Sequence, residues 1–457
     1  MKKLLLTLTI ALTYAASAYA QIAPVYQGRF QQVLDSICQK NKIKGISAAI
    51  LIPNEGVWTG VYGESHSGVP ITKDMYLPIG SNTKTYVAAM MLKLQEDGVL
   101  SLDDTIGKWF QNVPNVNGQI TIRQMLNHTS GLYSYTDTSA FFAALNSDYT
   151  KVWQPEEMLP FIGTPEFAPG TSWSYSNTNY LLAGLIIKQI RNESFAESVR
   201  KMILDPQGFS HTATYPAEKA GITIPHGWST DGNPAQLTDM MDAYNYDNTA
   251  FLSMATSAGA LVANAEDVVK FWDALMNGKI INSTSLAEMK TLVKLNANNG
   301  YGLGVMWFRP LNGRTGYSHG GTCFGYLNEN FIDSATGVAI CILSNQDSVD
   351  NNKLLTRVVA ALHKETVKMP PTGITQLAYE GISIYPNPAT DRLYITLPNI
   401  NEAQLELVDI TGRIAYHTQL KNGSNEIRLP DVNSGLYIAR VIENGILAYQ
   451  RKIQVIK

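Results

Sequence analysis

The sequence predicts a mixed α/β (α+β) fold, an antiparallel sheet flanked by helices with an inserted helical region, followed by a small C-terminal all-β sandwich. Short apolar strands lie near both ends of residues 21–368, and amphipathic helical stretches lie between them. From about residue 382 the pattern changes to short alternating segments separated by Asn, Gly, Asp and Pro. At 457 residues the chain is also too long for one ordinary domain.

The first 20 residues have the pattern of a removable secretion signal. Lys2 and Lys3 are followed by an apolar stretch at 4–16 and by a small-residue cleavage pattern at 18–20. The stretch is short and ends in small residues, which argues against a membrane anchor. No other run approaches the ~18 apolar residues that a transmembrane helix needs. We therefore predict a signal peptide at 1–20 and a mature chain without a transmembrane helix.

Residues 21–368 are predicted to form the first folded unit. Apolar residues at helical spacing alternate there with short apolar runs bounded by turn residues. We expect helices at 25–42, 83–97 and 180–190, and strands at 46–52, 57–62, 301–307, 325–332 and 337–343.

A connector and a second unit follow. Residues 369–381 begin with two prolines and a glycine within five residues, which suits an extended linker. Residues 382–457 hold alternating segments, for example at 392–397, 404–409, 436–441 and 450–456. Their spacing predicts a β-sandwich of about seven strands.

Composition excludes several classes of partner. The formal net charge is −3 at pH 7 and no block of basic residues occurs, so nucleic acid is not an expected partner. The seven histidines are scattered and form no metal-binding motif, so we expect neither a metal nor another cofactor. Of the three cysteines, Cys323 and Cys341 lie in neighbouring predicted strands and either form a disulfide or remain free like Cys38.

Ser81 and Lys84 are the first candidates for chemistry. The run Ser81-Asn-Thr-Lys84 opens the predicted helix at 83–97, and residues three apart share one face of a helix. A serine hydroxyl becomes a nucleophile when a neighbouring base takes its proton, and a buried lysine held neutral is such a base. The run Ser198-Val-Arg-Lys201 has the same spacing. We interpret that second run as an exposed helix face because nothing catalytic surrounds it.

Two further motifs lie downstream. Tyr175-Ser-Asn177 stands between a Pro-Gly turn and the apolar helix at 180–190. The Tyr-x-Asn pattern also occurs at 246–248, 326–328 and 385–387, so this placement is what distinguishes it. The run His319-Gly320-Gly321-Thr322 precedes a predicted strand. Paired glycines let a strand edge approach a ligand closely, and a backbone N–H there can stabilise an oxyanion.

The three motifs, in this order, resemble the signature of serine β-lactamases and penicillin-binding proteins. The Tyr-x-Asn form is similar to the class C branch and to its D-alanyl-D-alanine carboxypeptidase and esterase relatives. The supporting segments 124–132, 167–171 and 257–262 also resemble this family, and the resemblance spans roughly residues 28–362. It implies a β-lactamase/transpeptidase-like fold and a serine hydrolase acting on a small-molecule or peptide substrate.

The resemblance implies four catalytic residues. Ser81 attacks the carbonyl carbon, and Lys84 accepts or relays its proton. Tyr175 shares this base network and protonates the leaving group, with a pKa lowered by the lysine charge. His319 assists Tyr175 or a substrate carboxylate. Many relatives have lysine or histidine at this position, and a neutral histidine offers less charge for a substrate carboxylate than the lysine of the Lys-Thr-Gly form, so the sequence argues against strong β-lactamase activity.

The resemblance also implies binding residues. Asn177 binds the substrate amide and Lys84. The backbone N–H groups of Ser81 and Thr322 form the oxyanion hole, beside Gly320 and Gly321. No glutamate can be assigned as a separate deacylating base, so activation of water falls to Tyr175 or Lys84.

Other residues near the motifs have less specific roles. His128, in an Asn-His-Thr-Ser-Gly turn, is interpreted as structural. Trp153, Trp173 and Tyr133 either line a substrate cleft or belong to the core.

The second unit resembles the type IX secretion C-terminal sorting domain of Bacteroidetes. Motifs at 384–395, 407–413, 434–440 and 452–457 occur in the order of that domain. The resemblance implies that the type IX machinery is a partner and that the protein is secreted or held at the cell surface. A carbohydrate-binding β-sandwich is the alternative, but exposed aromatic residues at regular spacing are not evident.

Two functions remain open from the sequence. The first is an active hydrolase of D-alanyl peptides, β-lactams or other esters and amides. The second is a penicillin-binding-like sensor or binding protein with little turnover. A binding protein has no need of Ser81, Lys84, Tyr175, Asn177 and His319 together, which favours the enzyme.

Overall fold

The computed structural model describes residues 22–230, 236–348, 351–369, 382–409, 412–429, 431–443 and 446–457. It divides into two compact units, Met1–Lys368 and Met369–Lys457. The predicted signal peptide and nearly all of the predicted linker lie outside the described residues and stay predictions. Among the described residues, no helix combines the length and apolar character that a membrane crossing requires.

The first unit contains short strands at both ends and most of its helices between them. Its strands are β1 (Gly45–Ile52), β2 (Gly56–His66), β3 (Val69–Pro70), β4 (Leu77–Pro78), β5 (Thr212–Thr214), β6 (Trp228–Ser229), β7 (Thr238–Asp239), β8 (Leu261–Ala263), β9 (Val293–Lys294), β10 (Asn299–Tyr301), β11 (Met306–Leu311), β12 (Arg314–Ser318), β13 (Gly321–Cys323), β14 (Tyr326–Asp333) and β15 (Ala339–Ser344). Its helices are α1 (Pro24–Asn41), α2 (Thr83–Glu96), α3 (Ile122–Leu126), α4 (Ser139–Ser147), α5 (Asn177–Arg191), α6 (Phe195–Val199), α7 (Asp205–Gln207), α8 (Met240–Tyr244), α9 (Thr249–Ala255), α10 (Ala265–Met276), α11 (Ser283–Met289) and α12 (Asn351–Val367).

A ten-stranded sheet joins the two ends of this unit. The strand order is β3-β2-β1-β15-β14-β12-β11-β10-β9, and β13 pairs with β14 beside this path. The pairs are antiparallel, and β1 lies between β2 and β15. Helices α1 and α12 pack together against this sheet, and α10 packs against β1 and β15. The predicted antiparallel sheet with flanking helices and an inserted helical region is confirmed.

Helix α2 runs through the centre of the first unit. Nearly all of its residues are buried, from Thr83 to Leu94. It contacts α5 and α11, so both faces of the helix are covered by protein. The predicted helix at 83–97 is therefore confirmed, and Gly98 follows it with a φ of 69°.

The predicted strand at 301–307 is wrong as one element. Strand β10 ends at Tyr301 and β11 begins at Met306, and the two pair with each other as a hairpin. Gly304 has a φ of 67°, and a Cβ there would lie 2.8 Å from the Lys84 carbonyl oxygen. Glycine allows this close turn against α2, which the alternation of apolar residues did not reveal.

The second unit is all-β, as predicted, with fewer and longer strands than expected. Its described strands are β16 (Ser383–Tyr385), β17 (Arg392–Asp409), β18 (Ile414–Arg428), β19 (Gly435–Glu443) and β20 (Ile446–Val455). They form one sheet in which β17 pairs with β16, β18 and β19. The described residues form five strands rather than the expected seven or so, in part because 392–397 and 404–409 belong to one strand with a register irregularity between them.

The three cysteines are free and buried. Cys323 lies on β13 and Cys341 on β15, with β14 between these strands. The alternative of a disulfide is therefore not realised. Burial raises the pKa of the Cys323 thiol to about 12, so this group is not an activated nucleophile.

Candidate active site

Ser81 and Lys84 meet at the start of α2. Ser81 lies in a short 3₁₀ turn, Gly80–Asn82, which runs directly into the helix. Lys84 lies one turn further on and is fully buried. Its Nζ is 3.0 Å from Ser81 Oγ, 2.7 Å from Asn177 Oδ1 and 2.8 Å from the carbonyl oxygen of Ala258.

The surroundings of Lys84 favour its neutral form. Burial holds the pKa of the amine well below its usual value, and none of the three groups it contacts is a carboxylate. A neutral amine has two hydrogens and one lone pair. The Asn177 and Ala258 oxygens only accept hydrogen bonds, so they take the two hydrogens. The lone pair is then left facing the Ser81 hydroxyl, as a general base requires.

Asn177 is the first residue of α5, and hydrogen bonds to residues other than Lys84 orient its side chain and backbone. Its Nδ2 donates to Thr136 Oγ1 at 2.8 Å, which turns Oδ1 towards Lys84. Its backbone N–H donates to Ser134 Oγ at 3.2 Å. The sequence did not indicate Thr136, because its partner is 41 residues away in the chain.

Tyr175 borders the same serine, but its pKa differs from the prediction. The phenol hydrogen-bonds to the Ser81 side chain, and Lys84 Nζ lies 5.0 Å from the ring centroid. Burial raises the pKa of Tyr175, and the bond to Ser81 opposes this only in part. The predicted lowering by lysine charge is wrong because burial, the largest effect on this phenol, raises its pKa. Tyr175 therefore stays a phenol at neutral pH.

His128 fixes the segment that carries Tyr175 and Asn177. It has a φ of 62° and is fully buried. Its Nδ1 lies 3.1 Å from the Ser176 backbone nitrogen and 3.0 Å from Asn179 Nδ2. Burial holds the pKa of His128 well below its usual value. These contacts agree with the structural role that the sequence predicts.

His319 lies between β12 and β13, and both of its ring nitrogens have partners. Nδ1 is 2.7 Å from the Gly320 carbonyl oxygen, which only accepts, so Nδ1 carries the proton. Nε2 then accepts from the Tyr301 hydroxyl at 2.9 Å. Burial lowers the pKa of His319 to about 3. The ring is therefore neutral, and its hydrogen bonds go to Gly320 and Tyr301 rather than to Tyr175, the partner that the sequence suggested.

Strand β13 presents the Thr322 amide to the Ser81 turn. Cys323 pairs with Tyr326 across a two-residue loop, and such flanking pairs exchange both hydrogen bonds. Thr322, at the next pair, therefore points its N–H away from β14. A Cβ on Gly80 would lie 3.0 Å from the Thr322 nitrogen, so the two backbones are in close contact. This arrangement places the Thr322 amide beside the Ser81 turn.

Asn328 ties these two backbones together. Its Nδ2 donates to the Ile79 carbonyl oxygen at 2.7 Å and to the Gly321 carbonyl oxygen at 3.1 Å. Ile79 precedes the Ser81 turn and Gly321 begins β13, so one amide joins both sides of the predicted oxyanion hole. Asn328 was not among the site residues that the sequence indicated.

We expect Asn328→Leu to lower turnover about 10-fold to 100-fold, because the two backbone segments lose their common donor. The free energy of unfolding should fall by about 1–3 kcal/mol. Steady-state kinetics and chemical denaturation measure the two effects. Asn345→Leu is the matched control, because Asn345 is equally buried and its Nδ2 also donates to backbone carbonyls, away from the cleft. Equal loss of turnover in both variants would contradict the positioning role.

Two cavities border Ser81. The larger is a cleft of about 880 Å³. Its lining includes the motif residues and several aromatic side chains, among them Ser81, Trp173, Tyr175, Asn177, Tyr301, Trp307, His319, Gly320, Gly321 and Thr322. The smaller, of about 40 Å³, is lined by residues that include Tyr135, Phe141, Phe251 and Ala255. The sequence did not decide whether three aromatic residues line the cleft or belong to the core. Trp173 lines the cleft, whereas Trp153 packs against the core and Tyr133 against Gly163.

The second Ser-x-x-Lys run differs from the first in its geometry. Ser198 is fully buried, and its hydroxyl has no hydrogen-bond partner. Lys201 is exposed and pairs with Glu193. The interpretation of 198–201 as an exposed face is wrong for Ser198, but the run has no serine–lysine contact.

A group of possible metal ligands lies outside the cleft. His226, Asp239 and Asp242 bring ring nitrogen and carboxylate oxygens within 4.8 Å of one another. His226 Nδ1 already contacts Asp239 at 2.9 Å, and Asp239 caps α8. These groups therefore satisfy one another in part, and none of them borders Ser81.

Comparison with known proteins gives two family matches. Residues 30–363 match the β-lactamase family model, and residues 383–457 match the secretion system C-terminal sorting domain. The first unit is similar to Penicillin-binding protein 4* of Bacillus subtilis (strain 168), with 29% identity over 282 residues, which are 58% of this chain and 59% of that protein. It is also similar to Protein flp of Staphylococcus aureus (strain COL), with 32% identity over 40% of this chain and 38% of that protein. The match thus spans less than two thirds of either relative.

Two solved structures match along nearly their whole length. A D-stereospecific amidohydrolase from Streptomyces sp. aligns with a TM-score of 0.62 and 27% identity, over 75% of this chain and 99% of that one. The D-amino acid amidase from Ochrobactrum anthropi SV3, complexed with L-phenylalanine amide, aligns with a TM-score of 0.64 and 27% identity, with the same coverage.

Proposed function

Since the chain belongs to the β-lactamase family, we propose that it is an exported serine hydrolase that acts through an acyl-enzyme on Ser81. The observation that carries this proposal is the 3.0 Å contact between Ser81 Oγ and the buried, neutral Lys84 amine. A hydroxyl in contact with an amine lone pair is an activated nucleophile.

Acylation uses the residues around this contact. Lys84 takes the proton of Ser81 while Oγ bonds to the substrate carbonyl carbon. The Ser81 and Thr322 amides stabilise the negative oxygen of the tetrahedral intermediate. Tyr175 then gives its phenolic proton to the leaving group and recovers one from Lys84. The bond to the leaving group breaks, and the acyl group remains on Ser81.

Deacylation runs the same steps with water. A water molecule replaces the leaving group, Lys84 accepts its proton, and Ser81 Oγ leaves with a proton returned through the same pair. Tyr175 has a raised pKa and is a poor base, so we assign the activation of water to Lys84.

The substrate class is proposed from the relatives. Structures of a D-stereospecific amidohydrolase and a D-amino acid amidase align over 75% of this chain, which supports amides or esters with a D-configured acyl group. The sorting domain implies export, with the type IX machinery as partner and a substrate outside the cell. The neutral His319 offers no charge for a carboxylate, so we expect weak β-lactamase turnover.

Intact-mass analysis of the protein incubated with a penicillin over time tests this proposal. A lasting adduct that maps to Ser81 would support an acyl-enzyme with slow deacylation. Loss of penicillin without a lasting adduct would indicate β-lactamase turnover. If neither occurs, a panel of D-amino acid amides and simple esters decides between a hydrolase of other substrates and a binding protein without turnover.

We expect Tyr175→Phe to lower amide hydrolysis by about 10²-fold to 10⁴-fold, because the departing amine loses its proton donor. An ester with an acidic phenol as leaving group needs no such proton, so its hydrolysis should fall far less. Comparing kcat for the two substrates measures the effect. Tyr326→Phe is the control, since this buried hydroxyl donates to Pro225 and lies outside the chemistry. Equal losses for both substrates would contradict proton donation by Tyr175.

A further inference from the structure

Glu329 brings a carboxyl group to the cleft that contains Ser81. It lies on β14 and lines this cleft. Phe331, two residues further on the same strand, contacts His363 of α12, so Glu329 projects to the α12 side of the sheet. Thr356 of α12 also lines the cleft. The cleft therefore continues past His319 and Gly320 towards α12.

Glycine at position 320 leaves this carboxyl accessible. A Cβ on Gly320 would lie 3.6 Å from Glu329 Oε2. Any larger side chain at this position would occupy space next to the carboxyl. The motif His319-Gly320-Gly321 thus borders the carboxyl on one side and the Ser81 turn on the other.

The charge of Glu329 has no counterpart among the described residues that line the cleft. None of them is Lys or Arg, and Glu329 is their one carboxyl. No ion pair to Glu329 is present in the described part of the chain, although its carboxyl accepts the Asn330 backbone N–H. Burial raises the pKa of the Glu329 carboxyl to about 7. The charged form of a buried carboxyl group is disfavoured unless a cation pairs with it.

The cleft is also the side on which the leaving group departs in the proposed reaction. Tyr175, the proposed proton donor, lines it, whereas the smaller cavity that borders Ser81 is not lined by Tyr175 and has only about 40 Å³. A group attached to the leaving atom would therefore extend along His319 and Gly320 towards Glu329.

We propose that Glu329 is a specificity-determining residue that binds an ammonium group on the leaving portion of the substrate. This inference rests on the proposed function, because it takes the departing group to lie in the cleft. It names the substrate class as amides or esters of amine-bearing leaving groups. A carboxylate in the same place would meet the like charge of Glu329 and no compensating cation.

Three N-acetyl-D-alanyl esters test this specificity, with pentyl, aminobutyl and carboxypropyl alcohols as matched neutral, cationic and anionic leaving groups. In the wild type we expect kcat/KM for the aminobutyl ester to exceed that for the pentyl ester by about 10-fold, as a charged hydrogen bond supplies. The carboxypropyl ester should be the slowest. In Glu329→Gln the ratio of aminobutyl to pentyl should fall to about one. Glu365→Gln is the control, since this α12 carboxylate pairs with Lys368 outside the cleft and should keep the wild-type ratio.

Binding of pentylamine tests the role of Glu329 without turnover. The binding can be followed by tryptophan fluorescence, because Trp173 and Trp307 line the cleft. We expect Glu329→Gln to bind it about 10-fold more weakly than the wild type. Its Tm should be unchanged or raised above pH 7, where burial disfavours the ionised acid, so a folding defect is not expected. Unaltered binding in Glu329→Gln, or no binding to the wild type, would overturn the inference.

The two proposals fail separately. If Ser81→Ala removes ester hydrolysis but Glu329→Gln keeps the wild-type ratio of aminobutyl to pentyl ester, the proposed function stands and the inference is wrong. If hydrolysis persists in Ser81→Ala, the proposed function is wrong, and pentylamine binding still tests Glu329.

Discussion

Ser81→Ala is expected to lower hydrolysis of every substrate by about 10⁴-fold or more, because no other group can form the acyl bond. The Lys84 lone pair then faces a methyl group, and general-base catalysis has no hydroxyl to act on. Ser81 is only partly buried, so the free energy of unfolding should change by about 0.5 kcal/mol or less. Steady-state kinetics and thermal unfolding of the same preparation measure both effects.

The chain offers a matched control for this variant. Ser198 is followed three residues later by Lys201, as Ser81 is followed by Lys84, but Lys201 pairs with Glu193 at the surface. Ser198→Ala should keep full activity. It should also keep or raise the free energy of unfolding, since it removes a buried hydroxyl without a partner. A comparable loss of activity in both variants would point to a general effect on the fold.

Lys84→Met is expected to lower turnover by about 10³-fold to 10⁴-fold. Methionine has a similar length and no basic nitrogen, so Ser81 keeps its place but loses the acceptor of its proton. Asn177 and Ala258 also lose a common donor, and Asn177 is then less well fixed. Lys201→Met, at the surface, should have no effect on activity. Retained turnover in Lys84→Met would contradict its role as the base.

The same variant should change how stability depends on pH. Burial holds the pKa of Lys84 well below its value in the unfolded chain, where it is near 10.4. Between these two values the unfolded state binds the extra proton, so wild-type stability rises with pH and falls as the pH is lowered. Lys84→Met removes this contribution of Lys84 to the pH dependence of stability. We therefore expect its Tm relative to the wild type to rise as the pH falls below about 10, measured by thermal unfolding across the range. A Tm difference that does not vary with pH would contradict the buried, neutral amine.

Much of the fold followed from the order of its elements. Apolar segments near residues 46–62 and 325–343 predicted strands that join the two ends of the first unit, and these strands do pair. The prediction of a single strand at 301–307 was wrong because the alternating pattern fits a strand equally well on either side of the turn at Gly304. That turn depends on contact with α2, far away in the sequence.

The site was predictable in its motifs and not in its electrostatics. The order of the motifs and their resemblance to the serine β-lactamase signature indicated Ser81, Lys84, Tyr175 and Asn177. The sequence could not show the burial that raises the pKa of Tyr175, and so the predicted direction of that shift was wrong. Thr136 carries no local signal. The run Asn328-Glu329-Asn330 did carry one, because three polar residues within a predicted apolar strand indicate buried partners.

Labelling with a serine-reactive fluorophosphonate, followed by peptide mapping, tests whether Ser81 is the nucleophile. We expect one phosphonyl group on Ser81 in the wild type and in Ser198→Ala, and none in Ser81→Ala with an unchanged Tm. Equal labelling of folded Ser81→Ala, or an adduct that maps to another residue in the wild type, would contradict the account.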